Sequence, residues 1–116
     1  MFGSEPAIPQ IDVDELARRL GPDIQLIDVR EAAEFAEAHV PGAMLLPLSE
    51  WPTAADLLPH DGVLHLICAR GGRSQTAAEF LAKAHDREVV NIAGGTLAWI
   101  DRGYDTETGR TPAGER

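Results

Sequence analysis

The chain has 116 residues, 44% hydrophobic and 25% charged, the balance of a folded globular domain rather than a disordered segment. Nineteen acidic residues against ten basic ones leave a formal net charge of −9, which argues against a general nucleic-acid binder and against docking on anionic membranes. A single cysteine, Cys68, precludes an intramolecular disulfide, so its thiol serves either the core or chemistry.

A chain of this length is expected to form one domain over residues 1–116, with its core from about 8 to 104. Met1 to Gln10 has neither the basic start nor the apolar run of a signal peptide. Asp12, with Glu15 three residues later, has the form of a capping box. It opens a helix through Leu16 and Leu20 that Gly21-Pro22 stops. Ile24 to Val29 is apolar and β-branched, which predicts a buried strand. Arg30 to His39 is strongly helix-forming, with Ala33, Phe35 and Ala36 placed to face inward before Pro41-Gly42 ends the run. Ala43 to Leu46 reads as a short strand, and Thr53 to Leu58 as a small helix between two prolines.

Val63 to Ile67 is a second clear strand, and Cys68-Ala69-Arg70-Gly71-Gly72-Arg73 follows it at once. Ser74 to His85 then carries Ala77, Phe80, Leu81 and Ala84 on one helical face. Glu88 to Ile92 predicts a further strand, Gly94-Gly95 a turn, and Thr96 to Arg102 a last helix. The polar stretch from Asp105 to Arg116 is expected to be a flexible tail. No run approaches the roughly 20 apolar residues that span a bilayer, and Pro47 interrupts the longest, Ala43 to Leu48. The expectation is a cytoplasmic protein, which a single cysteine suits.

Alternating strands and helices imply an α/β domain with a mainly parallel central sheet and helices on both faces. In such sheets the working site lies beyond the carboxyl ends of the strands, and Cys68 falls there. Two glycines let the following loop curl so that several N–H groups converge, which is an anion-binding nest. The start of the next helix adds partial positive charge, and Arg70 and Arg73 add full charges. Each of these favours the thiolate, which is the nucleophile, and the same cradle would hold an anion brought to the sulfur. The alternative is a buried structural cysteine in an ordinary loop, but such cysteines are rarely flanked by a glycine pair and two arginines.

Ile27-Asp28-Val29-Arg30, Glu34-Phe35, His39-Val40-Pro41-Gly42-Ala43, Cys68 to Ser74, and Gly94-Gly95 with Trp99 occur in this order over nearly the whole chain. Together they resemble the rhodanese family of sulfurtransferases. The resemblance implies a five-stranded parallel sheet flanked by helices. It also implies that Cys68 takes a sulfane sulfur from a donor such as thiosulfate as a persulfide, which a nucleophilic acceptor then removes. Cell-cycle phosphatases of related fold carry a longer loop than the four residues Ala69 to Gly72 between Cys68 and Arg73. The shorter loop makes a tighter cradle, suited to a terminal sulfur rather than a tetrahedral phosphate. The chain departs from the family pattern where Ala69 precedes Arg70, since the family often has the basic residue first. Ala38 also stands where the family usually has glycine, which would strain the backbone if φ there were positive.

The candidate site is therefore Cys68 as nucleophile, with Ala69, Arg70, Gly71, Gly72, Arg73 and Ser74 binding the substrate. Arg73 is expected to matter more than Arg70, and Ser74 to serve mainly as the helix N-cap. Asp28 and Arg30 read as a structural ion pair, His39 as a hydrogen-bonded structural residue, and Trp99 as core. Trp51 suits either the core or the site. The spacing of His60, His65 and His85 suits no zinc site, and Gly94-Gly95 lacks a phosphate-binding fingerprint, so neither metal nor cofactor is expected. The implied partners are a small sulfur-donor anion and an external acceptor (cyanide, a thiol or a protein), because no second thiol can unload Cys68. Two other readings are a catalytically silent binding or regulatory module and a thiol-based redox sensor or reductase.

Overall fold

The computed structural model of the protein describes residues 7–109. In chain order it comprises β1 (Gln10–Ile11), α1 (Val13–Arg19), β2 (Gln25–Asp28), α2 (Ala32–Glu37) and β3 (Met44–Leu45). Two 3₁₀ turns follow at Leu48–Glu50 and Thr53–Leu57, then β4 (Leu64–Ile67), α3 (Gly72–Ala84), β5 (Val89–Ile92) and α4 (Gly95–Asp101). The five strands form one sheet of order β1-β5-β4-β2-β3, and every pairing is parallel. The α/β class, the parallel sheet and the five strands agree with the expectation.

Alternation along the strands divides the core into two layers. Ile27, Leu64, Leu66 and Val89 face Ala77, Ala78 and Leu81 of α3, Ala54 and Ala55 of the second 3₁₀ turn, and Leu58 just after it. Leu26, Ile67 and Ile92 face the other way, onto Val13 and Leu16 of α1, Phe35 of α2 and Trp99 of α4. Cys68 continues the alternation of β4 and falls on the α3 side.

Several local expectations need correction. Asp12 caps α1 by accepting from the Glu15 N–H at 2.8 Å, but the Glu15 carboxylate turns away to Arg18 and Arg19, so the box is half formed. The full box lies at α2, between Glu31 and Glu34. On α2, Phe35 is buried while Ala33 is exposed. The buried face of α3 is Ser74, Ala77, Ala78 and Leu81, with Ala84 exposed and Phe80 half-buried. Ala38 has φ −170°, extended backbone that any residue adopts, so alanine there carries no strain.

Asp105 to Gly109, expected to be loose, are hydrogen bonded to the body. His39 and Glu107 exchange two backbone hydrogen bonds of 2.9 Å, Gly109 N–H donates to the Ala36 carbonyl, and the Trp99 indole donates to the Asp105 carbonyl. The remainder of that stretch, 110–116, and the first residues read for a leader, 1–6, lie outside the described residues. Among the described residues no helix is long and apolar enough to cross a membrane.

Candidate active site

Cys68 follows β4, the middle strand of the sheet, and only 1% of the residue is exposed. The chain then turns into α3 through Gly71, whose φ of 107° is a left-handed conformation open to glycine and strained for other residues. That turn brings α3 in two residues earlier than expected, so the helix cap is Gly71 and not Ser74. It also aims donors at the sulfur: the Gly71 N–H lies 3.1 Å from Sγ and the Ser74 hydroxyl 3.3 Å from it. Burial pushes the Cys68 pKa up, but the Ser74 hydroxyl and the N–H groups of Ser74, Gly71 and Arg70 outweigh it, leaving the thiol more acidic than an ordinary one.

The loop is held from behind by α4. The N–H groups of Thr96 and Leu97 donate to the carbonyls of Cys68 and Ala69 at 2.8 and 3.0 Å. So close an approach requires Gly95, where a Cβ would stand 2.4 Å from the Cys68 carbonyl oxygen and 2.5 Å from that of Ala69. Gly94-Gly95, read from sequence as a turn and a piece of the family pattern, thus buttresses the cysteine loop.

The two arginines differ in what holds them. Arg73 forms a forked pair with Glu34 of α2, both contacts 2.8 Å. Its hydrogen bond holds the Glu34 carboxyl from 4.5 down to about 2. Arg73 is committed to an acid, although its charge still acts on Cys68. Arg70 is exposed at the loop tip and, among the described residues, its guanidinium has neither a hydrogen bond nor an ion pair. Ala69 contributes its carbonyl to α4, while Gly72 opens α3 with nothing within 4 Å of where a Cβ would be.

Ser74 is fully buried and donates to Asn91 Oδ1 of β5 at 2.6 Å. Asn91 was not singled out from the sequence, although an amide inside the apolar run Val89–Ile92 is the kind of mismatch that marks a buried polar contact. Glu34 and Gly95 were seen only as pieces of a motif. Asp28 and Arg30 form the expected buried ion pair at 2.9 Å, and Arg30 also donates to the Ala38 carbonyl at 2.8 Å. His39 stacks on Phe35 at 3.6 Å, and its Nδ1 meets the Phe35 carbonyl at 2.7 Å. Trp51 is half-buried, its indole donating to the Leu46 carbonyl at 3.1 Å. No group of three or more His, Cys, Asp or Glu among the described residues could hold a metal ion.

A rhodanese-like domain model matches residues 12–102. The chain belongs to the rhodanese-like family. The rhodanese-like domain is 33% identical over 98 residues to a protein named sulfurtransferase from Allochromatium vinosum, spanning 83% of this chain and 92% of that one. It is 32% identical over 98 residues to the putative sulfur carrier protein YrkF of Bacillus subtilis, and there it spans only 53% of the relative's length. Among solved structures it is similar to a rhodanese-like domain protein from Staphylococcus aureus, with TM-score 0.77 and 32% identity over 87% of this chain and 98% of that one. It also matches a thiosulfate sulfurtransferase from Pseudomonas aeruginosa, with TM-score 0.78 and 27% identity, covering 93% of this chain and 21% of that one.

Proposed function

We propose that this protein is a sulfurtransferase that carries sulfane sulfur on Cys68. The observation that carries the reading is a lone thiol at the end of the central strand of a rhodanese-like sheet, ringed by N–H and O–H donors that acidify it. The names borne by its relatives, sulfurtransferase and sulfur carrier, support a transfer role, and the Pseudomonas neighbour's name makes thiosulfate the first donor to test.

With thiosulfate, the Cys68 thiolate attacks the outer sulfur. The donor's S–S bond breaks, its electron pair leaves on sulfite, and negative charge appears on the new terminal sulfur of the persulfide. An acceptor nucleophile then attacks that terminal sulfur and returns the electron pair to Sγ, regenerating the thiolate. Charge balances at each step and no proton is consumed. The loop donors that favour the thiolate stabilise the same charge on the leaving sulfur in the second step. Arg70 is the uncommitted cation that meets the donor's sulfonate, whereas Arg73 and Glu34 fix α3 against α2. With no other thiol in the chain, unloading requires an external acceptor: cyanide, a small thiol or a partner protein.

Thiocyanate formation from thiosulfate and cyanide tests the reading. The wild-type chain is expected to turn over and Cys68→Ser to be inactive. Failure of the wild type with thiosulfate and with thiol persulfides contradicts the proposal and favours a silent binding module, which would also show an ordinary thiol pKa near 8.5.

A further inference from the structure

The polar residues behind Cys68 form a chain whose donors and acceptors run in one direction. The Glu79 carboxylate can only accept, so its 2.9 Å contact with Gln75 Nε2 turns the Gln75 carbonyl towards Gln10. Gln10 Nε2 donates to that carbonyl at 2.7 Å and to the Ile8 carbonyl at 3.2 Å. Gln10 Oε1 is thereby left to accept from Asn91 Nδ2 at 2.8 Å. Asn91 Nδ2 also donates to the Gly71 carbonyl at 3.2 Å, so two acceptors fix this amide with Oδ1 facing Ser74. Ser74 has one hydroxyl proton and two acceptors for it, Asn91 Oδ1 at 2.6 Å and Cys68 Sγ at 3.3 Å. Ser74 and Asn91 are 0% and 3% exposed, so bulk water does not replace a lost partner.

We propose that Asn91 is a positioning residue that competes with the Cys68 sulfur for the Ser74 hydroxyl proton, which rests on Cys68 being the reactive thiol. In the thiol state Ser74 donates to Asn91, and its oxygen accepts from the Cys68 S–H. When the thiol gives its proton to solvent, the Ser74 O–H swings from Oδ1 to Sγ, and no O–H bond breaks. Asn91 Oδ1 loses its donor in that step, and an unsatisfied buried acceptor is costly, so Asn91 restrains ionisation of the resting thiol. Once sulfur is loaded, the charge sits on the terminal atom rather than Sγ, and the hydroxyl returns to Asn91. The charged groups on the surrounding elements include Arg70 of the loop, Arg73 of α3 with Glu34 of α2, Asp28 with Arg30 at the end of β2, and Glu79 of α3 at the far end of the amide chain. The first turn of α4 carries no acidic residue. All of these stay constant in the variants below.

The test is the pH dependence of iodoacetamide alkylation of the chain's one thiol, followed by mass. It needs no sulfur donor, so its failure is distinguishable from failure of sulfur transfer. Asn91→Ala is expected to lower the midpoint by about one pH unit, a tenfold change in ionisation. Ser74→Ala is expected to raise it, and adding Asn91→Ala to Ser74→Ala to leave it unmoved. A merely structural role for Asn91 would loosen the loop and raise the midpoint, with or without Ser74. Gln10→Ala, at an exposed position, releases one anchor of the amide and is expected to lower the midpoint by a smaller amount, and it decides alone if Asn91→Ala does not fold. A raised or unchanged midpoint in Asn91→Ala, the same shift in the double variant, or an unmoved midpoint in Gln10→Ala overturns the proposal.

Discussion

At Cys68 burial and hydrogen bonding oppose each other, and the donors prevail. Sequence could place the thiol and its glycines, because a strand followed at once by Cys-Ala-Arg-Gly-Gly-Arg restricts where the backbone can go. It could not apportion the two arginines, since the partner of Arg73 is Glu34, 39 residues away in the chain. That pairing sets the expected kinetics. Arg70→Ala should raise the KM for thiosulfate about fivefold with kcat little changed, because an exposed charge pair is worth at most ~1 kcal/mol. Arg73→Lys should leave that KM nearer the wild-type value, since the charge is kept and the role lost is the fork to Glu34. Steady-state rates over a range of thiosulfate check both. Ser74 shows the same limit of sequence from another side. A serine before a helical run reads as a cap, and only the left-handed turn at Gly71 moves the cap upstream and turns the hydroxyl inward.

At the scale of elements, the site depends on two joints. One is the approach of α4 to the cysteine loop, where Gly95 has φ 64° and stands against two backbone carbonyls that cannot move aside. Gly95→Ala is expected to cost at least about 2 kcal/mol from the left-handed backbone and the contact together. It should also return Cys68 alkylation towards that of an ordinary thiol, which denaturant unfolding and alkylation rates measure side by side. The other joint is Glu34 with Arg73, tying α2 to α3. The Glu34 carboxyl is held at about 2 in the folded chain against 4.5 when free. Its contribution is therefore fully present above pH 4.5 and disappears as pH falls towards 2. The carboxylate is 36% exposed, so screening limits the effect to about 1 kcal/mol at neutral pH. Urea midpoints measured from pH 7 down to pH 2.5 should fall less steeply in Glu34→Gln than in the wild type. Parallel curves would remove the pair from the stability of the fold.

At the scale of the molecule, four of the five strands were legible as apolar runs: β2, β4 and β5 as four-residue strands, and β3, itself two residues, from the apolar stretch Ala43 to Leu46 after Pro41-Gly42. The fifth was not: β1 is two residues long, too short for a periodicity, and is held by the Pro9 and Ile11 carbonyls accepting from Asn91 and Ala93. The resemblance to the rhodanese pattern supplied the strand count that the residues alone did not. The buried face of α3 was misread for a related reason. Hydrophobic spacing favoured Phe80 and Ala84, whereas the helix is rotated to bury Ser74 and Ala78 against the end of β4 and β5. A polar residue buried for its chemistry is invisible to a hydrophobic pattern. The net charge of −9 argues against polyanions as general partners, yet the loop that carries the thiol opposes that sign, with Arg70 and Arg73 within five residues of Cys68. A small anion can be drawn to that spot although the surface as a whole repels it.

The measurement that bears most directly on sulfur carriage is the mass of the intact chain after incubation with thiosulfate and removal of excess donor. The wild-type chain is expected to gain one sulfur atom, to lose it on addition of cyanide or a thiol, and to gain nothing as Cys68→Ser. An unchanged wild-type mass with thiosulfate and with a thiol persulfide, or a sulfur retained by Cys68→Ser, would contradict a persulfide on Cys68.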